Sequence, residues 1–120
     1  MILLDTNIFI YLADRTLQST IIGQHVPGHA SVTRIEALGF DELPVSQAMM
    51  LRNLFARSTE FDLTRAIADK AVELKQARKM KLGDAIIAAT ALEHDIELWT
   101  ADTGFSSITG LRVYNPLERS

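Results

Sequence analysis

The stretch ILLDTN, residues 2–7, places three aliphatic residues directly before an acid, a hydroxyl and an amide. The aliphatic run Ile2–Leu4 is short and uninterrupted, which predicts a buried strand. Either Asp5 or Thr6 can then cap a helix. The apolar positions of that helix are Ile8, Phe9, Tyr11 and Leu12. The chain is therefore expected to begin with a strand that ends on a carboxylate and leads into a helix.

A second strand and helix are predicted after a poorly patterned segment, residues 14–29. Pro27-Gly28 indicates a turn or loop. Ala30-Ser31-Val32 indicates a weak strand, and the Thr33-x-x-Glu36 spacing is that of a capping box at the start of a helix that runs through Leu38. The order strand, then helix, is repeated here.

The middle of the chain predicts two more helices with a strand between them. Ser46 can cap a helix that reaches about Arg57, and Phe61 to Leu63 is a candidate strand. Thr64 can cap the longer helix that follows. The predicted buried positions of that helix are Ile67, Ala71 and Leu74.

The last third contains the most apolar helix, opened by Asp84 and hydrophobic nearly all round from Ala85 to Leu92. Glu97 to Thr100 predicts a strand, Asp102-Thr103-Gly104 a turn, and Arg112 to Tyr114 a last strand. Strands that alternate with helices predict a Rossmann-like three-layer α/β/α fold with a central parallel sheet of four to five strands.

Composition sets limits on the class of protein. The 120 residues are 48% hydrophobic, without repeat or linker, so residues 1–120 are expected to form a single domain. Cysteine is absent, which excludes disulfides and thiolate zinc sites and fits a cytoplasmic location. The apolar stretch 85–92 is too short to span a bilayer, so no membrane association is expected. The formal charge of −3 argues weakly against a nucleic-acid partner.

Three acids, Asp5, Glu36 and Asp102, lie just beyond predicted strands, and a fourth, Asp84, opens the helix that leads into the strand from Glu97 to Thr100. Ligands of open parallel sheets bind outside the carboxyl ends of the strands, so these acids are candidates for one shared site. Each acid taken singly is also explained as a helix cap or a turn former. Taken together, four converging carboxylates would repel one another unless some are protonated or a cation lies between them.

The chemistry of such a site would be that of a hard divalent cation. Carboxylates and waters suit Mg²⁺ or Mn²⁺, whereas zinc favours His or Cys. Two such ions about 4 Å apart can activate a water on one side of a phosphorus and stabilise the leaving oxygen on the other. Two bound divalent ions would also turn the charge of −3 into +1. Phosphodiester hydrolysis is the reaction that these residues suggest.

Four stretches of the chain also resemble the acidic motifs of PIN-domain ribonucleases, particularly VapC-type toxins of prokaryotic toxin–antitoxin pairs. The stretches are LLDTN at residues 3–7, SVTRIEAL around Glu36, LGDAIIAATAL from Leu82 and LWTADTGF from Leu98. They occur in the order of the family and cover the chain from the first strand to near residue 115. The resemblance implies a PIN-like fold and a Mg²⁺- or Mn²⁺-dependent endoribonuclease.

The resemblance also implies roles for individual residues. Asp5 would be shared between metal positions, Asp84 and Asp102 would hold one ion, and Glu36 would serve a second. Thr6 and Thr100 match small hydroxyl positions that orient carboxylates or water, and they complete the predicted catalytic set of six residues.

The same resemblance implies partners: an RNA substrate, a cognate antitoxin and a second copy of the chain in a homodimer. Two departures from the family are visible. The segment 14–29 has little recognisable helix, and Ala101 stands where a polar or basic residue is more usual.

Two other classes of protein remain open. One is a non-catalytic PIN-like module that binds RNA or protein. The other is a Mg²⁺-binding receiver domain of signalling, which predicts an acidic pair beside the first strand, where this chain has only Asp5.

Three signals carry less weight. Val26-Pro27-Gly28 separates His25 from His29 and breaks any helix that could make the pair a zinc site. Residues 75–81, KQARKMK, could line the path of an RNA backbone or form a solvated helix end. Trp99 lies on a predicted central strand, which favours a place in the core.

Overall fold

The computed structural model describes residues 1–118. Within them, one sheet is formed by the strands Ile2–Leu4 (β1), Pro27–Ala30 (β2), Thr59–Phe61 (β3), Glu97–Trp99 (β4) and Val113–Tyr114 (β5). All neighbouring strands are parallel, in the order β3-β2-β1-β4-β5. The α-helices are Thr6–Ala13 (α1), Ser31–Leu38 (α2), Val45–Ala56 (α3), Arg65–Ala77 (α4) and Leu82–His94 (α5). Short 3₁₀ helices span Ser19–Ile22 and Thr103–Phe105.

The helices cover both faces of the sheet, which confirms the predicted three-layer α/β/α fold. Successive side chains of a strand point to opposite faces. Leu3 accordingly packs in a core cluster with Ile67 of α4 and the apolar side of α5, whereas Ile2 and Leu4 pack against α1, α2 and α3, where Phe9 is central. The near-continuous apolar character of α5 follows from its position against this sheet, with Ala85 to Ala91 buried.

The strand order places a crevice between β1 and β4. Connections run outward from β1 to β2 and β3 on one side, and to β4 and β5 on the other, so the order reverses between β1 and β4. Open α/β sheets bind ligands at such a switch point, beyond the carboxyl ends of the strands. A receiver domain of the flavodoxin-like type has the order 2-1-3-4-5. The receiver alternative is therefore wrong.

The second strand is not where the sequence pattern places it. The expected strand at Ala30 to Val32 is wrong, because β2 ends at Ala30 and Ser31 begins α2. Pro27-Gly28, predicted to be a turn, forms the first half of β2. A proline is tolerated at the first residue of a strand. A Cβ added at Gly28 would lie 2.7 Å from the ring of Phe61, so only glycine permits this packing of β2 against β3.

Several predicted caps also differ. The capping box is wrong, since Thr33 and Glu36 both lie inside α2, and Ser46 is inside α3, which follows Pro44. Asp84 lies in the first turn of α5 and does not cap it. Thr64 does cap α4, where its hydroxyl accepts a hydrogen bond from the backbone N–H three residues on.

Other boundaries shift by a few residues. The expected strand from Phe61 to Leu63 ends at Phe61, because β3 spans Thr59–Phe61. The predicted turn after Asp102 is a 3₁₀ helix, Thr103–Phe105. Among residues 1–118, none of the helices has the length and apolar character needed to cross a bilayer.

Candidate active site

Asp5 lies at the switch point, immediately after β1, and only 3% of its surface is exposed. Its backbone N–H donates to the carbonyl of Trp99 at 2.9 Å, which continues the pairing with β4. Its carboxylate accepts from the backbone N–H of Thr6 at 2.7 Å through Oδ1, and from the hydroxyl of Thr100 at 2.6 Å through Oδ2. The capping contact expected of Asp5 is present, and the second oxygen is held by the neighbouring strand.

Thr100 links the carboxylate of Asp5 to Asp102, which lies two residues after Thr100. Its hydroxyl accepts a hydrogen bond from the backbone N–H of Asp102 at 3.0 Å while it donates to Asp5. The Asp102 carboxylate accepts from the backbone N–H of Gly104 at 2.8 Å, which caps the following 3₁₀ helix. Asp102 itself is exposed, three residues beyond the end of β4.

Glu36 reaches the same end of the sheet from α2; this end, where Asp5, Glu36, Asp84 and Asp102 lie, is called the acidic rim. The hydroxyl of Thr6 donates to Glu36 Oε1 at 2.7 Å, and the hydroxyl of Thr33 lies 3.2 Å from that of Thr6. Thr33 is fully buried, so its hydroxyl contacts the Thr6 hydroxyl from the interior of the protein. Sequence reasoning assigned Thr33 to a cap and missed this contact. Its position three residues before Glu36, on one face of a helix, was the available signal.

Asp84 approaches from the opposite layer, in the first turn of α5, and is half-buried. The preceding Gly83 is buried against the carboxylate of Glu36. A Cβ at Gly83 would lie 3.0 Å from Glu36 Cδ and would overlap one of its oxygens. The absence of a side chain at Gly83 therefore leaves room for the Glu36 carboxylate beside the first turn of α5, a role that sequence reasoning missed.

The electrostatics of the rim connect all four acids. Burial raises the pKa of Asp5 to about 6; the negative charges of Asp84 and Asp102 add to this rise, and the hydrogen bonds from Thr100 and Thr6 oppose it. Burial also raises the pKa of Asp84, with further contributions from Asp102 and Glu36. Because like charges disfavour each other's ionised forms, the rim is a place where a cation would be stabilised.

The arrangement stops short of a formed metal centre. As the side chains stand, no group of three Asp, Glu or His residues within residues 1–118 is placed to hold one ion. The donor chemistry nevertheless fits Mg²⁺ or Mn²⁺, because the rim offers carboxylate and hydroxyl oxygens without thiolates. The assignment of Asp5, Glu36, Asp84 and Asp102 as metal ligands, and of Thr6 and Thr100 as catalytic residues, stays a prediction.

Comparison with known families agrees with this fold. The family model of the PIN domain matches residues 32–111. The chain belongs to the PIN-domain family. This PIN domain is similar to a chain of a toxin–antitoxin complex from Klebsiella pneumoniae, with 31% identity over 99% of this chain and 100% of that one, at a TM-score of 0.77. Comparison with curated proteins gives no match.

Other solved structures support the same assignment. VapBC-1 from nontypeable Haemophilus influenzae is 25% identical over 98% of this chain and 100% of that one, at a TM-score of 0.80. VapBC2 from Rickettsia felis, bound to a DNA fragment from its promoter, has a TM-score of 0.80 over 96% of this chain and 98% of that one. At 19% identity it supports the fold alone. The resemblance to VapC-type PIN domains expected from the acidic motifs is confirmed.

His29 and Trp99, which carry little weight as functional residues in the sequence, have structural partners in this PIN domain. His29 is buried on β2, with Nδ1 at 2.7 Å from the Ser58 hydroxyl and Nε2 at 3.0 Å from Glu60. Both ring nitrogens are thereby occupied. Trp99 is buried, which confirms its place in the core, and its indole N–H donates to Glu97.

Proposed function

We propose that this PIN domain is a Mg²⁺- or Mn²⁺-dependent endoribonuclease that hydrolyses RNA phosphodiester bonds. The observation that carries the proposal is the burial of Asp5 at the switch point, among the charges of Asp84 and Asp102. Keeping an ionisable carboxylate in such a place is unfavourable without a cation, and strongly perturbed acids of this kind cluster at functional sites.

Each residue of the rim would have a role that depends on its position. Asp5 would contact both metal positions, Asp84 and Asp102 would hold one ion, and Glu36 would serve the other. A bound divalent cation would supply an activated water and neutralise charge on the phosphate. The Thr100 hydroxyl fixes the orientation of the Asp5 carboxylate through a 2.6 Å hydrogen bond.

The Thr6 hydroxyl does the same for Glu36 through a 2.7 Å hydrogen bond. Fixed orientation matters because small misplacements of reacting groups are costly in rate.

We further propose that residues 1–120 form one domain that acts as the toxin of a toxin–antitoxin pair, bound by a cognate antitoxin and paired with a second copy as a homodimer. Support comes from the similarity to the Klebsiella pneumoniae complex. Exposed apolar side chains on and between α2 and α3 offer surface to a protein partner. They are Ile35, Phe40, Val45 and Met49.

Cleavage of RNA by purified protein tests the nuclease proposal. The parent, the Asp5→Asn variant and an Asp69→Asn control are incubated with structured and single-stranded RNA in Mg²⁺, Mn²⁺ or chelator. Asp69 is an exposed acid of α4, so its substitution removes the same charge as Asp5→Asn but away from the rim. We expect cleavage by the parent and the control in metal, and a loss of at least 100-fold in the Asp5→Asn variant.

Two outcomes contradict this proposal. Cleavage that survives in the Asp5→Asn variant would remove Asp5 from the chemistry. Binding of RNA by the parent without cleavage in either metal would instead favour the non-catalytic binding module.

A further inference from the structure

The acidic rim is bordered by a strongly basic segment, residues 75–81, which joins α4 to α5. It contains four of the twelve lysines and arginines of the chain and no acid. These residues line a groove of about 660 Å³. The segment ends at Lys81, the N-cap residue of α5, whose first turn carries Asp84, so the basic groove adjoins the rim at the start of this helix.

Two of the four cations are engaged in holding the groove together. Lys75 Nζ donates to the backbone carbonyl of Met80 at 2.9 Å, which closes the turn after α4. Arg78 donates through one terminal nitrogen to the Ser107 hydroxyl at 3.1 Å. That contact ties the groove to the segment that follows Asp102. The shape of the groove is therefore coupled to two of the acid-bearing segments.

The other two cations are available to a ligand. Lys79 and Lys81 are exposed and form no ion pair or side-chain hydrogen bond within residues 1–118.

Helix capping does not explain Lys81, although its positive charge opposes the rise in the pKa of Asp84 in the first turn of α5. Lys81 occupies the N-cap position of α5, where its side chain makes no capping contact. The amino end of a helix carries partial positive charge, so a cation there is unfavourable, in contrast to Lys75 in the last turn of α4. A local choice that conflicts with helix stability is expected where a residue serves function.

We propose that the basic groove of residues 75–81 binds backbone phosphates of the RNA strand next to the phosphate that is cleaved. This inference rests on the proposed nuclease function and adds where the substrate lies. Lys79 and Lys81 contact the phosphates, and Lys75 and Arg78 hold the groove in shape. The groove thereby supplies positive charge that draws a polyanion to a rim of carboxylates.

The salt dependence of RNA binding tests the groove. Single-stranded RNA is titrated in the Asp5→Asn background, which separates binding from cleavage. The compared proteins are this variant alone, the same variant with Lys79→Gln and Lys81→Gln, and a control with Arg57→Gln and Arg65→Gln. Arg57 is exposed beside the amino end of β3, and Arg65 is exposed at the start of α4. The control therefore loses the same positive charge as the lysine variant.

Two lost phosphate contacts should reduce the slope of log affinity against log salt by about 1.4. Between 50 and 200 mM salt, the affinity of the protein with intact lysines should then fall about sevenfold more than that of the lysine variant. The arginine control should keep the full slope. Each single lysine variant should show about half of the change.

The outcomes separate this inference from the nuclease proposal. An unchanged slope in the lysine variant, or an equal change in the arginine control, overturns the proposal that the groove binds RNA, even when the parent cleaves RNA. If the slope depends on the lysines but the parent never cleaves RNA, RNA binding by the groove is supported and the nuclease proposal is overturned. In the active parent, the two lysine substitutions should raise KM and leave kcat within about twofold, since phosphate contacts of this kind act on binding.

Discussion

Replacing Asp5 by Asn should make the metal-free protein more stable at neutral pH while it abolishes activity. The native carboxyl has a pKa of about 6, against 3.8 for an unperturbed Asp, chiefly because it is buried. Between these two pH values the native state binds more protons than the unfolded state. The free energy of unfolding of the parent therefore falls as pH rises through this window.

The magnitude follows from the shift. A difference of about two pKa units corresponds to about 3 kcal/mol of stability lost by the parent between pH 4 and pH 7. The Asp5→Asn variant has no carboxyl to ionise and escapes this loss. Its amide can donate to Thr100, but the Thr100 hydroxyl then loses the acceptor it has at 2.6 Å, which costs about 1 kcal/mol. The net gain above pH 7 is about 2 kcal/mol, or about 8 °C in Tm.

The assay is urea unfolding of parent and variant in chelator at pH 4, 6 and 8. We expect the variant to be the more stable protein at pH 8 and to lose that advantage at pH 4. Added Mn²⁺ should raise the Tm of the parent, because a bound cation relieves the repulsion, and should raise that of the variant less. Parallel pH dependences of the two proteins would refute the reasoning, since they would mean that Asp5 ionises normally in the native state.

Two further predictions follow from the same structure. The Gly83→Ala variant should displace the Glu36 carboxylate, which its new methyl group would overlap, and should lower RNA cleavage at least tenfold. Its Tm should change by no more than a few degrees, because alanine favours the helix by about 1 kcal/mol, so a large drop in Tm would contradict this account. The Glu60→Gln variant tests the pair of Glu60 with Arg34 and His29, which lowers the pKa of Glu60 to about 2. At pH 7 the parent should be more stable by about 1 kcal/mol after allowance for solvent screening, and the difference should vanish as pH falls from 4.5 towards 2. A difference that persists at pH 2 in urea unfolding would contradict the ion-pair explanation.

The first strand and its acid could be read from the chain because local signals agree there. Ile2–Leu4 is an unbroken aliphatic run, and Asp5 makes the capping contact that its position favours. The apolar face of α4 is likewise evident from spacing alone, and its predicted residues are buried. Where periodicity, capping and composition indicate the same element, sequence reasoning is reliable.

The second strand could not be read in this way because its residues have poor strand propensity. Pro27, Gly28 and His29 become a strand only because β1 and β3 pair on both sides of them. Gly28 fits because the Phe61 ring needs its space, and His29 is accepted in the core because Ser58 and Glu60 bind both of its nitrogens. Tertiary packing overrides local preference at such positions.

By itself the sequence determined an α/β chain with four acids in the right order for one end of a parallel sheet. Only the tertiary structure decided how those acids meet. Asp5 and Asp102 are joined through Thr100 because β1 and β4 are neighbours in the sheet, although 95 residues separate Asp5 from Thr100. The Glu36 carboxylate lies beside the first turn of α5, which carries Asp84, in space that the missing side chain of Gly83 leaves open. Such contacts depend on close packing between elements that are distant in the chain, which no local pattern encodes.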